Sequence, residues 1–357
     1  MTRTVAVVTG TRADWGLLRT VARAVGAHPA LRLRLVVTGT HLISGSDADV
    51  DLPVAARVPM QAAGEVGRHA DAAALGRGVA GLADAFASLG PGFVVVLGDR
   101  IEAFAAASAA SIMGVRVAHL HGGDRAEGVA DEAMRHAITK LAHLHLPATE
   151  ESRRRVLGLG EHEATVVNVG SPAIDGLADV PPAPGGPEVL VLQHPVGEPD
   201  AEERRRMEAT LAATAGRPRL VLHPNHDPGR GGVLAAIEAG VDPAEVVAHL
   251  PRWAFVGLLK AARLIVGNSS AGLIEAAACR TAAVDVGPRQ GGRERPAHAQ
   301  HAGHGEAEVR AAMARAEAFA FDGFTHPYGD GRTGERVAGL LATIDPAAAP
   351  LRKRNAF

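Results

Sequence analysis

Phe93-Val-Val-Val-Leu97, followed at once by Gly98-Asp99-Arg100, decides how this sequence reads. Five apolar residues that stop at Gly-Asp, with a helix-like stretch from Ile101 to Met113 behind them, predict a buried parallel strand. Such a strand delivers a carboxylate to the crevice at its carboxyl end, where α/β proteins bind ligands. Asp99 is therefore the first catalytic candidate. Val115 to His121 predicts the next strand, which ends in Gly122-Gly123-Asp124-Arg125-Ala126-Glu127-Gly128 before an acidic pair, Asp131-Glu132, opens a helix. Several carboxylates and a histidine converge on one rim.

Toward the N-terminus, Thr4 to Val8 predicts a strand that ends in Thr9-Gly10-Thr11-Arg12-Ala13-Asp14. Leu17, Leu18, Val21, Ala22 and Val25 then recur at helical spacing. The glycine permits a sharp turn, the helix start offers free backbone N–H groups, and the Arg12 fork suits a phosphate. The loop is neither GxGxxG nor a Walker A, so an ordinary βα turn with a solvated arginine fits it equally. Leu31 to Thr38 is a second strand, ending in Gly39-Thr40-His41. Ser44 to Asp51 has three aspartates and no helical period, which predicts an exposed, mobile loop with solvated acids. A helix over His69 to Leu89 leads back to the strand at Phe93. Downstream, a helix from Asp131 to His143, a short strand near His145, a helix from Glu150 to Leu157 and a strand from Thr165 to Val169 continue the alternation. This pattern is a doubly wound parallel sheet.

Pro181-Pro-Ala-Pro-Gly-Gly-Pro187 cannot sit inside a helix or a central strand and reads as a linker. After it the alternation restarts, with strands at Val189–Leu192, Arg219–Leu222, Val246–His249, Leu264–Val266 and Ala282–Val286. The expected architecture is two Rossmann-like domains facing a cleft, over 1–180 and 188–332, joined by 181–187. The remaining 333–357 would hold a helix near Thr333 to Ile344 that packs back on the first domain.

The second half carries its own candidates. Gly267-Asn268-Ser269-Ser270 precedes an apolar helix with Glu275 inside its first turns; the small residues suit a diphosphate and the carboxylate suits ribose hydroxyls. Serines that merely cap a helix are the plainer reading. Gly287-Pro-Arg289-Gln-Gly-Gly-Arg293-Glu-Arg295 places three guanidiniums on a glycine-rich loop, for a phosphate or for solvent. His223-Pro-Asn225-His226-Asp227 is a cleft loop with His223 as a phosphate contact, or an ordinary turn. His119 and His121 share a strand face and His143-Leu-His145 repeats the spacing, but no set of ligands at metal spacing accompanies them, so no metal site is expected.

Composition sets the limits. The 357 residues, 47% of them apolar, bury large cores and fit two domains better than one. Lys plus Arg total 37 against 39 Asp plus Glu, a net charge of −2, which gives no general pull toward nucleic acid or anionic membrane. A single cysteine, Cys279, excludes an intrachain disulfide, and neither a signal peptide nor a run of roughly 20 apolar residues is found, so the cytoplasm is the expected compartment. The 3% aromatics and high Ala, Gly and Arg content match a GC-rich genome, so Ala-rich stretches carry little structural weight. With no GxGxxG followed by an acidic residue, NAD chemistry is not expected, and no cofactor is called for.

Taken together, Thr9-Gly-Thr-Arg-Ala-Asp14 with Gly16-Leu-Leu, Gly98-Asp-Arg100, Asp131-Glu with Arg135-His-Ala-Ile-Thr-Lys140, Gln193-His-Pro-Val196, His223-Pro-Asn225, Gly267-Asn-Ser-Ser270 and Arg289-Gln-Gly-Gly-Arg-Glu294 resemble the UDP-N-acetylglucosamine 2-epimerases. The likeness is to the hydrolysing, N-acetylmannosamine-forming branch, and it runs from residue 4 to about 295. It implies a GT-B type fold with the active site in the cleft, and a homodimer or homotetramer. It also implies a UDP-sugar substrate: UDP is expelled from C1, a base takes the C2 proton to leave a 2-acetamidoglucal, and water adds with inversion at C2. By position, Asp99 and Asp131 match acids the family uses in catalysis. Arg12, Ser269, Ser270, Glu275 and Arg293 match its nucleotide site, which His194, His223, Asn225, Gly267, Asn268 and Arg289 would complete.

The likeness departs at two points. His121 stands where some relatives carry a catalytic glutamate, leaving Asp124, Glu127 or His121 itself as the second acid–base group. The segment after His41 is also shorter and more acidic than usual. Other readings stay open: a non-hydrolysing epimerase, a hydrolysing enzyme for the 2,4-diacetamido-2,4,6-trideoxy sugar, a GT-B glycosyltransferase, or an inactive nucleotide-sugar binding protein.

Overall fold

The computed structural model describes residues 2–65, 67–125, 132–225 and 227–356. The chain divides into two compact units, Met1–Asp175 with Tyr328–Phe357, and Gly176–Pro327.

Unit 1 strings β1 (Arg3–Thr9), α1 (Arg12–Ala27), β2 (Leu31–Thr38), α2 (His41–Ser44), β3 (Val54–Val58), α3 (Arg68–Leu89), β4 (Phe93–Leu97), α4 (Ile101–Ile112), β5 (Arg116–Leu120), α5 (Glu132–Leu141), β6 (Leu144–Leu146) and α6 (Glu150–Gly158). Among the described residues its sheet has six parallel strands in the order β3-β2-β1-β4-β5-β6. Winding out one way from β1 and the other way from β4 puts a topological switch point between those two strands, with every carboxyl end on the same edge. All five residues of β4 are buried, as a strand covered on both faces must be. On one face Leu18, Val21 and Val25 of α1 pack on Val5, Leu35 and Val95. On the other, Leu82, Phe86 and the alanines of α4 pack on Ala6, Val94 and Val96. Each buried Val or Leu side chain contributes about 1.5–3 kcal/mol.

Unit 2 repeats the winding with β7 (Val189–Leu192), α7 (Asp200–Ala213), β8 (Arg219–Leu222), α8 (Arg230–Gly240), β9 (Val246–Val247), α9 (Arg252–Ala261), β10 (Leu264–Gly267), α10 (Glu275–Cys279), β11 (Ala282–Val286), β12 (Ala299–Ala302) and α11 (Glu306–Glu317). The order β12-β11-β10-β7-β8-β9 is again parallel throughout, with the switch between β7 and β10. Both units are thus Rossmann-like.

The final helix, α12 (Thr333–Thr343), belongs to unit 1. Val337, Ala338 and Leu341 join the core beside α1, and the Asp175 carboxylate caps the helix by accepting from the N–H groups of Thr333 at 3.0 Å and Gly334 at 2.7 Å.

Three expectations need correction. Thr165–Val169 forms no strand: a 3₁₀ turn takes Glu163–Thr165, and Val166 makes only an isolated bridge to His145 of the three-residue β6. Val166 and Val169 are buried and Val167 half-buried at the sheet's margin, where the Val167 and Val169 N–H groups donate to the His145 and Pro147 carbonyls at 2.9 and 3.1 Å. The acidic stretch 44–51 closes α2 and makes a 3₁₀ turn over Ser46–Asp49. There Asp47 pairs with Arg57, Asp49 with Arg12, and Asp51 with Arg19 and Arg23, so the aspartates are tied to neighbouring elements. Finally, β3 and β12 were not expected. As edge strands of five and four residues they need no continuous apolar run.

Candidate functional site

In unit 1 the rim is organised by Arg135 of α5, whose side chain is only 3% exposed. Its guanidinium pairs with Asp99 through Nη2, donates to Glu132 Oε2 at 2.6 Å and to the Asp124 carbonyl at 2.8 Å. Burial disfavours this cation, but Asp99, Asp124 and Glu132 outweigh the cost and raise its pKa. One rigid fork therefore joins the end of β4, the loop after β5 and the start of α5. Asp99, 23% exposed, keeps access to a ligand.

His121 directly follows β5 and takes φ 62°, a left-handed conformation that costs a residue with a Cβ on the order of 1 kcal/mol. Its N–H reaches the Leu146 carbonyl at 3.2 Å, and its ring is held at both nitrogens: Nδ1 lies 2.8 Å from Asp124 Oδ2 and Nε2 lies 3.0 Å from Ser171 Oγ. The other oxygen of Asp124 accepts from Ser152 Oγ at 2.8 Å. Gly123 makes this possible. With φ 82°, it brings the loop so close to α6 that a Cβ there would lie 2.2 Å from the Ser152 carbonyl.

The histidines beside His121 in β5 and around β6 are taken up by contacts within the fold. His119 is fully buried between the Gly98 carbonyl (2.7 Å) and Thr139 (3.3 Å), and burial pushes its pKa down to about 3. His143 accepts from the Val117 N–H, and His145 lies 3.0 Å from Glu161. Among the described residues no three His, Cys, Asp or Glu side chains are arranged to hold a metal ion. No described helix is long and apolar enough to cross a membrane. Two predicted acids, Glu127 and Asp131, lie outside the described residues.

Near the β1–β4 switch point, Arg12 opens α1 and pairs with Asp49 at 3.1 Å on the exposed surface. Two residues on, Asp14 is pushed up to about 6 by burial, which Arg100 opposes and Glu102 reinforces. Glu102 itself is buried and accepts from Gln61 Nε2 at 2.7 Å.

Unit 2 has a different rim. Asn268 clamps His194 from both sides, accepting from its N–H at 2.6 Å and donating to its carbonyl at 2.7 Å. The chain can pass there because a Cβ at Gly267, φ 144°, would lie 2.0 Å from the Leu192 carbonyl. The Asn225 N–H donates to His194 Nδ1 at 3.1 Å, which leaves the ring proton on Nε2. Burial first and Arg289 second lower the His194 pKa to about 4, so the ring is neutral at pH 7 and offers Nε2–H. Arg289 donates to the Asn268 carbonyl at 3.3 Å and lies 3.7 Å from Asp227. Burial, with Arg293 nearby, lowers its pKa against the pull of Asp227. Two partly desolvated guanidiniums this close favour an anion between them. Gln290 Nε2 donates to the same carbonyl at 2.8 Å.

The remaining candidates are more structural in their contacts. Ser269 Oγ caps a 3₁₀ turn over Ser270–Gly272 by accepting from Ala271 N–H at 3.3 Å, and Glu275, the first residue of α10, sits 3.3 Å from Arg252. Arg295 is bound to buried Asp285 at 2.6 Å. The His223 N–H donates to the Val247 carbonyl, and Asn225 Nδ2 donates to Asp227.

The structure thus gathers Asp99, His121 and Asp124 in unit 1, and His194, Asn225, Gly267, Asn268 and Arg289 in unit 2, where Arg293 adds charge. It also supplies residues that motif reading passed over. Arg135 stood in a quoted motif without a role, and a buried arginine among acids was the available signal. Ser152 and Ser171 left no signal in the sequence.

The sequence profile of the family described as UDP-N-acetylglucosamine 2-epimerase matches residues 23–342. A Legionella pneumophila protein named UDP-N,N'-diacetylbacillosamine 2-epimerase (hydrolyzing) is 34% identical over 381 aligned positions covering all of both chains. A Neisseria meningitidis UDP-N-acetylglucosamine 2-epimerase is 29% identical over 80% of each. The crystal structure of the UDP-GlcNAc 2-epimerase from Neisseria meningitidis, solved with UDP-GlcNAc, shares the fold at TM-score 0.80 and 16% identity, covering 95% of this chain and 99% of that one.

Proposed function

Since the chain belongs to the UDP-N-acetylglucosamine 2-epimerase family, we propose that it is a hydrolysing 2-epimerase, converting a UDP-2-acetamido sugar and water into UDP and the free 2-epimeric sugar. The observation that carries this reading is the unit 1 rim, where Asp99 and the His121–Asp124 pair flank the buried Arg135. A glycosyl transfer needs no base at C2, whereas elimination and rehydration need one group to take the C2 proton and another to handle the water.

Asp124 is the base candidate. Its two oxygens are oriented by His121 and Ser152. The C1–O bond breaks as the C2 proton leaves, UDP carries away the electron pair, and a C1=C2 double bond remains. Water then adds its hydroxyl at C1 while a proton returns to C2 on the opposite face, with Asp99 as the second acid–base group. Arg289, Arg293, the Nε2–H of His194 and the Ser269–Ser270 turn would receive the diphosphate, and Glu275 the ribose.

The 2,4-diacetamido-2,4,6-trideoxy sugar is the preferred substrate, because the relative aligned along its whole length carries that activity in its name. N-acetylglucosamine is the second, from the Neisseria relative. The test is NMR of the protein with each UDP-sugar in deuterated water. Release of UDP with a C2-deuterated 2-epimer is expected. UDP release without deuterium at C2, or retention of UDP on an epimerised sugar, would overturn the hydrolysing reading.

A further inference from the structure

We propose that Ser171 is a positioning residue for the acid–base pair: through its hydroxyl it fixes the His121 ring, and the ring in turn aims Asp124. The proposal rests on the hydrolysing reading for its kinetic consequences, but its structural core does not.

The hydrogen-bond inventory carries it. A serine hydroxyl has one proton to give and two lone pairs. One lone pair of Ser171 Oγ accepts from the Ala173 N–H at 3.2 Å. The proton and the second lone pair remain, and His121 Nε2 lies 3.0 Å away. When His121 is neutral with its proton on Nδ1, shared with Asp124, the Ser171 O–H donates to Nε2. When the ring is doubly protonated, the same oxygen accepts from Nε2–H. Ser171 therefore satisfies either protonation state without moving, and it is fully buried, so water does not substitute for it. His121 needs such an anchor because its backbone is in the left-handed region, and the one backbone bond it makes to β6 fixes the main chain but not the ring.

With both nitrogens occupied, His121 has no lone pair directed at a substrate. It acts through Asp124, and Ser171 acts through His121. The anchor itself is braced where the chain leaves unit 1 and where it returns. Ser171 lies four residues before the boundary at Asp175, and its N–H donates to the carbonyl of Tyr328, the first residue after the return, at 2.7 Å.

The test has two arms. In the kinetic arm, Ser171→Ala should lower kcat about ten- to hundredfold with KM within about threefold. In a His121→Gln background the same change should cost less than about threefold, because the partner is already gone. An unchanged kcat in Ser171→Ala, or equal losses in both backgrounds, overturns the proposal. The second arm needs no turnover: long-range ¹H–¹⁵N spectra of the histidine rings, with His121 assigned by its loss in His121→Gln. The wild-type ring should sit in one tautomer protonated on Nδ1, and Ser171→Ala should shift Nε2. A ring that averages between tautomers in the wild type overturns the proposal even where Ser171→Ala fails to fold. If the wild type turns over neither UDP-sugar, the functional reading fails and this arm still decides the role of Ser171.

Discussion

Unit 1 and unit 2 wind six strands in the same order, yet the loops at their carboxyl ends carry opposite chemistry. In the first, Asp99, Asp124 and Glu132 crowd one buried guanidinium and a histidine held at both nitrogens. In the second, Arg289, with Arg293 nearby, sits beside a neutral His194 and backbone dipoles. The shared frame supplies only the crevice. What fills it differs, and on the hydrolysing reading proposed above the acids of unit 1 would move the C2 proton while the guanidiniums of unit 2 would hold the diphosphate.

That division can be broken by mutation. Asp99→Asn is expected to lower kcat by about 10³-fold and leave the UDP dissociation constant, measured by calorimetry, within about threefold. A tenfold loss of UDP affinity would mean the acids of unit 1 also bind the nucleotide. A carboxylate of the same unit with a purely structural role sharpens the contrast. Glu161 is almost wholly buried and lies 2.7 Å from both Lys140 and Lys353 and 3.0 Å from His145. Burial opposes its ionisation, but those three partners hold its pKa down to about 2. A depressed carboxylate gives stability that is present above its ordinary value and lost as pH falls from about 4.5 toward 2. Glu161→Gln should therefore cost about 3–5 kcal/mol at pH 7 in denaturant unfolding and much less at pH 2.

For unit 2 the expected signature is reversed. Arg289→Ala should weaken UDP about 10–100-fold, the loss of charge-assisted bonds to a diphosphate, while kcat at saturating substrate changes by less than about threefold. A fall in kcat alone would move Arg289 to the chemistry. The smallest effect is expected at Asp14. Its folded pKa of about 6 lies above the ordinary 3.8, so the folded state binds the extra proton and stability falls as pH rises from about 4 to 6. Asp14→Asn should be the more stable protein at pH 8, by on the order of 1 kcal/mol given the residue's partial exposure, and should match the wild type near pH 3.5. Equal stability at both pH values would show that Asp14 is not desolvated.

The two regions also differ in how far their sequences reveal them. β4 and β10 are legible because an apolar run ending in glycine is a local signal, and Asp99 and Asn268 follow those runs directly. The 44–51 segment misled because its aspartates have no helical period. Their arginines come from α1 and β3, and pairing across elements leaves no periodic trace. His121 was a candidate for its position after a strand, but nothing local gives its ring partners, since Ser171 lies fifty residues away in sequence.

The sequence by itself determined the alternation of strands and helices, the turn glycines, and the family motifs that place acids in one half and arginines in the other. All are written within a few residues, through side-chain period and backbone freedom. Only the tertiary structure decided which of those groups are occupied and which are available. It bound Arg135 to Asp99, gave both nitrogens of His121 to Asp124 and Ser171, and took Arg295 for Asp285. A charge or a ring nitrogen is spoken for by whatever folding brings within about 3 Å, and chain separation carries no record of that distance.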